Sequence, residues 1–140
     1  MRRAELAGSR IGAAPSRCGG YSAGMSVVYN VFVAIHLLGM AAIVGGYFAV
    51  LAEPRVSEVM VWGARVQFLT GLIIVGIGEA ALDKEYITAK IATKLVLSLV
   101  VVALAEIGRA KQKRGEGNPN LAHAAGVLAI ITALIAALWT

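Results

Sequence analysis

Residues 27–51 read VVYNVFVAIHLLGMAAIVGGYFAVL. The stretch carries no charge apart from any proton on His36. About 20 apolar residues suffice for a helix to cross the hydrocarbon core of a bilayer. The stretch therefore reads as a transmembrane helix with one imidazole inside it. An ionisable side chain at that depth costs a few kcal/mol to insert and marks a candidate site. His36 is the first such candidate.

The rest of the chain agrees with this start. It has 140 residues, 59% of them hydrophobic and 15% charged, with mean hydropathy +0.77. Soluble domains are less apolar and about 25% charged. Backbone groups in lipid must bond within helices or closed barrels. These apolar runs are long and do not alternate in polarity, which excludes a barrel. The single cysteine, Cys18, makes no intrachain disulfide and holds no iron–sulfur cluster or cysteine-rich zinc site. Net charge is +5, but the basic residues cluster in the tail and one loop, so topology explains them better than nucleic acid.

Four helices are expected, at about 27–51, 59–82, 87–108 and 121–139. Pro54 follows the first, and Ser57 with Glu58 is a fair cap for the second. Loop 2 is the short DKEY, with Tyr86 or Thr88 opening helix 3. Loop 3, RAKQKRGEGNPN, holds the breakers Gly115, Gly117, Asn118 and Pro119. His123 starts the last helix beside this basic loop and is expected to be solvated. Trp139 lies where an interfacial aromatic belongs. Short loops force antiparallel neighbours, so the expected fold is all-α, an integral membrane up-down four-helix bundle.

Residues 1–24 have no sustained apolar face and read as a disordered extension. Lysine and arginine in loops 1 and 3 (Arg55; Arg109, Lys111, Lys113, Arg114) place both loops in the cytoplasm of a multi-pass cell-membrane protein. Arg2, Arg3, Arg10 and Arg17 in the tail oppose that orientation. The conflict vanishes if translation begins at Met25, which we take as the expected start. Small residues recur every four positions at Ala41, Gly45 and Ala49, at Ala42 and Gly46, and at Ala125, Ala129, Ala133 and Ala137. Such stripes let helices approach closely in lipid and are expected to close the bundle, with a homodimer interface as the alternative.

Further ionisable residues fall inside the helices. His36 lies about 14 Å and Lys94 about 10 Å below the same membrane face, so the two are expected to share a cavity. Glu79 could pair with Lys90 or Lys94. Arg65 and Glu106 both lie near the cytoplasmic ends, within about 10 Å, and are expected to form a structural ion pair between helices 2 and 3. Met40 stands one turn from His36, a spacing open to a soft Cu(I) site or to plain packing.

Three segments look familiar. Ile35-His36-Leu37-Leu38-Gly39 with Gly45-Gly46, Arg65 followed by Leu69-Thr70-Gly71-Leu72, and Lys94-Leu95-Val96-Leu97 resemble the helices of the CopD-like copper-resistance membrane proteins and the HemJ-type haem-binding protoporphyrinogen oxidases. The resemblance covers roughly residues 30–105. It implies His36 as a haem or copper ligand and Lys94 as its partner. The chain departs from those families in lacking a tryptophan near the helix-1 glycine and a later histidine in helix 3. His123 is expected near the opposite leaflet, which removes a bis-histidine haem.

Three functions compete. One is a haem- or copper-handling protein using His36, Lys94 and Met40. A second is a structural or accessory subunit, in a homo-oligomer or larger membrane complex, whose charges only pair helices. A third is a small oligomeric transporter, for which the broken helices and repeats of many transporters are missing. Phosphate-binding glycine loops and the HExxH zinc motif are absent from the sequence.

Overall fold

The computed structural model describes residues 19–81 and 88–138, with side chains from Ala23 onward. Among the described residues there are four helices: α1 (Gly19–Ala49), α2 (Glu58–Ala81), α3 (Thr88–Lys113) and α4 (Pro119–Leu138). Each contains a window with mean hydropathy between 1.6 and 2.3 and is long enough to cross a membrane. The expected all-α four-helix membrane bundle is the observed fold. Leu37, Leu38, Trp62, Leu69, Val96 and Leu134 are exposed on its outside, as suits a surface whose solvent is lipid.

The helices pack in a ring: α1 on α2, α2 on α3, α3 on α4, and α4 back on α1. The diagonal pairs α1/α3 and α2/α4 bring no Cα atoms within 8 Å of each other among the described residues. His36, Gly39, Ile43 and Gly46 of α1 meet Met60, Gly63, Gln67 and Gly71 of α2. A Cβ on Gly39 would stand 3.0 Å from the backbone nitrogen of Gln67 and 3.1 Å from the carbonyl oxygen of Gly63. Glycine is required there because the two backbones themselves are in contact. On the other side of α1, the ring of Tyr47 fills the space over Gly126 of α4, where no Cβ fits.

The helix ends correct several expectations. α1 begins at Gly19, so residues 19–24 continue the helix upstream of Met25 instead of forming part of an unstructured tail; residues 1–18 lie outside the described residues. Ser57 caps α2 as expected, its hydroxyl accepting the Met60 N–H at 3.3 Å. α3 runs five residues past Gly108, because Arg109 to Lys113 are good helix formers and Lys111 and Lys113 favour the negative end of the helix dipole. It stops at Gly115 (φ 76°), where the Glu116 N–H reaches back to the Lys111 carbonyl and the Gly115 N–H to that of Gln112. Asn118 and Pro119 do not merely break the chain: Asn118 caps α4 through the Asn120 N–H at 2.9 Å, and Pro119 is its first residue. Loop 2 and Trp139 lie outside the described residues.

The small-residue stripes divide. Ala42, Gly46, Ala125 and Ala129 are wholly or partly buried. Ala41, Gly45 and Ala49 are exposed, and a Cβ on Gly45 would meet nothing within 4 Å. The expectation that this second stripe closes the bundle is overturned. α1 is set by the Gly39–Gly63 crossing, and that crossing turns the stripe outward.

Candidate functional site

His36 stands half-buried between α1 and α2, and both of its ring nitrogens are engaged. Nδ1 lies 3.1 Å from Thr70 Oγ1, and Nε2 lies 2.9 Å from Gln67 Nε2. The tautomer follows from the hydroxyl. Thr70 donates its proton to the Val66 carbonyl at 2.6 Å, so toward His36 its oxygen accepts. Nδ1 therefore carries the ring proton. Nε2 presents its lone pair to a Gln67 N–H. A Cβ on Gly71 would stand 3.2 Å from His36 Cε1, so that glycine makes room for the ring.

Gln67 is buried, with 7% of its surface exposed, and its Oε1 finds no donor among the described residues. An orphaned buried amide oxygen is costly and calls for an explanation. The geometry offers one. A proton added at His36 Nε2 needs an acceptor, and rotating the Gln67 amide by half a turn supplies Oε1 in the place of its nitrogen.

The other expected site residues fall elsewhere. Lys94 belongs to α3, diagonal to α1, and forms no hydrogen bond or ion pair among the described residues. Comparable depth along two helices does not make them neighbours: among the described residues, no Cα of α3 comes within 8 Å of one in α1. Glu79 is exposed and forms no ion pair with Lys90 or Lys94 among the described residues. Arg65 and Glu106 do meet, at 2.5 Å, and join α2 to α3 as expected; the guanidinium also lies 5.1 Å from the centre of the Trp62 ring. A second ion pair, Arg109 with Glu58 at 2.5 Å, joins the same two helices. His123 is not solvated as expected. Its Nδ1 lies 3.0 Å from the Tyr47 hydroxyl, and the two rings meet edge to face. Tyr47 is eleven residues from His36, about 16 Å along α1, so the two histidines serve separate contacts.

His36 has its lone pair occupied by Gln67. Met40 is half-buried one turn along the same helix and packs against the core. No group of three His, Cys, Asp or Glu side chains converges among the described residues. Gln67 is the residue that reading the sequence missed. The signal was present, since Gln67 and Thr70 are polar, three apart and on one face of an apolar helix.

Fold and site together define a four-span integral membrane bundle with a buried His–Gln–Thr cluster. No protein family, curated protein or solved structure matches this chain.

Proposed function

We propose that this protein is a structural or accessory subunit of a membrane assembly, with loops 1 and 3 on the cytoplasmic side. One observation carries the reading: four sets of polar side chains tie one helix to another. His36 reaches Gln67 and Thr70, Arg65 reaches Glu106, Glu58 reaches Arg109, and Tyr47 reaches His123. Such pairings fix which helices adjoin where lipid supplies no hydrophobic drive. The outward face of Ala41, Gly45 and Ala49 supports the same reading, because it offers another transmembrane helix a close approach. Orientation rests on the lysines and arginines of loops 1 and 3. The test is purification from native membranes in mild detergent, after crosslinking. A partner helix, or a second copy of this chain, crosslinked through Gly45→Cys in fixed stoichiometry supports the reading. A monodisperse, partner-free monomer whose His36→Ala variant is folded but inactive in the cell would sink it.

A second reading, haem or copper handling as the CopD/HemJ resemblance implies, retains one observation in its favour. Thr70 holds His36 in the tautomer whose Nε2 lone pair is the ligating one. Gln67 must leave that lone pair first. The absorption spectrum and metal content of the purified protein decide it, with His36→Ala as the control. Colourless, metal-free protein that takes up neither haem nor copper ends this reading.

A further inference from the structure

A cleft of about 330 Å³ opens where loop 1 meets the last turns of α3, lined by Arg55, Ser57, Glu58, Arg109, Gln112 and Lys113 around the buried Val56. We propose that it binds a phosphate group, carried by an anionic lipid headgroup or free in solution.

The charge balance comes first. Three cations (Arg55, Arg109, Lys113) face one carboxylate (Glu58) across this small volume. Glu58 neutralises only part of it, through one terminal nitrogen of Arg109 at 2.5 Å. The Arg109 Nε is buried and finds no acceptor among the described residues. A buried guanidinium N–H without an acceptor is unfavourable, and phosphate oxygens are the acceptors that arginine's planar fork matches. Ser57 adds a donor: its oxygen already accepts from the Met60 N–H, which leaves the hydroxyl proton free to point outward. The Gln112 amide lies on the same wall.

The cleft is built into the packing of the bundle. Val56 sits directly over Gly108 of α3, where an added Cβ would stand 2.5 Å from Val56 Cγ2. Gly108 thus lets loop 1 settle onto α3, and that contact fixes Arg55 and Ser57 on one side of the valine and Arg109 on the other. Depth points to the ligand. Helix α2 starts at Glu58 and α3 ends at Lys113, so the cleft lies at the ends of two membrane-length helices, the level that lipid headgroups occupy around such a bundle. Basic pockets between spans at that level hold anionic headgroups. Arg114, also basic and exposed, lies outside the cleft and serves as the control.

The experiment uses the full chain, delipidated in a neutral detergent and then melted with three additives. These are a short-chain phosphatidylglycerol, the matching phosphatidylcholine, and inorganic phosphate. Affinities come from the melting shifts. Phosphatidylglycerol is expected to stabilise and phosphatidylcholine not. Arg55→Gln and Lys113→Gln are each expected to weaken binding about fivefold, and Arg114→Gln to leave it unchanged. Stabilisation by inorganic phosphate to the same extent assigns the site to the free anion; stabilisation by the lipid alone assigns it to the headgroup. If neither phosphatidylglycerol nor phosphate binds, or if Arg114→Gln weakens binding as much as Arg55→Gln, the proposal fails. Arg109→Gln also breaks the Glu58 pair, so the decisive variants are those at Arg55 and Lys113.

Discussion

Gly63 of α2 lies so close to Gly39 of α1 that a Cβ added to it would stand 2.9 Å from the Gly39 carbonyl oxygen. The backbones touch at this crossing, and the rotation of α1 about its own axis follows from it. The residues one turn to either side, His36 and Ile43, are thereby pointed at α2.

Substitutions at the crossing should therefore be costly where those on the lipid face are not. Gly63→Ala and Gly39→Ala push backbone against backbone and are expected to destabilise the bundle by about 1–3 kcal/mol. Gly45→Ala and Gly76→Ala, where an added Cβ meets nothing within 4 Å, should be neutral or slightly stabilising. Reversible unfolding in mixed micelles ranks the four variants. Equal losses at Gly63 and Gly45 would contradict the crossing.

The His36 tautomer is itself a prediction. Nitrogen-15 chemical shifts of histidine-labelled protein in bilayers should show Nδ1 protonated and Nε2 bare at neutral pH. Thr70→Val removes the acceptor for Nδ1–H, should shift population toward the other tautomer, and should cost about 0.6 kcal/mol in stability, the mean for an interhelical hydrogen bond in lipid. An Nε2–H ring in the unaltered protein would refute the geometry.

Gln67 is expected to tolerate Leu poorly for one reason and well for another. The substitution removes the orphaned Oε1, which is favourable, and strips the His36 lone pair of its donor, which is not. Gln67→Leu with His36→Phe should then be more stable than Gln67→Leu alone. A double-mutant cycle read by thermal melting gives the sign of the coupling, and strict additivity would show that the two side chains do not interact.

Arg65 and Glu106 should couple across α2 and α3. Arg65→Gln or Glu106→Gln alone leaves one charge within a span without its partner, so each is expected to lower stability or membrane insertion. Exchanging the two residues should recover part of the loss. Full tolerance of both single variants would show that the pair serves neither folding nor insertion.

Gly126 and Tyr47 test the α1–α4 contact. Gly126→Ala clashes with the Tyr47 ring and should destabilise, whereas Tyr47→Phe should lose only the His123 hydrogen bond, about 0.6 kcal/mol. The comparison is again by unfolding in micelles. A larger loss for Tyr47→Phe than for Gly126→Ala would reverse the assignment.

Much of the fold was legible because hydropathy and length act locally. A run without charges must cross lipid as a helix, whatever its neighbours, and the Arg65–Glu106 pair followed from two charges at matched depth on adjacent helices. For His36 and Lys94 the same method does not decide, since matched depth leaves open which helices adjoin, and α1 and α3 do not. Gln67 was passed over because one uncharged amide barely alters a hydropathy profile.

The sequence by itself determined that four apolar helices cross a membrane and that His36 lies within the first of them. Tertiary structure decided which face of α1 looks inward, and with it whether the Ala41–Gly45–Ala49 stripe or Gly39 packs on α2. Periodicity allows either face, because small residues occur on both. Only the fit of Gly39 against Gly63 selects one, and that fit places His36 beside Gln67 and Thr70.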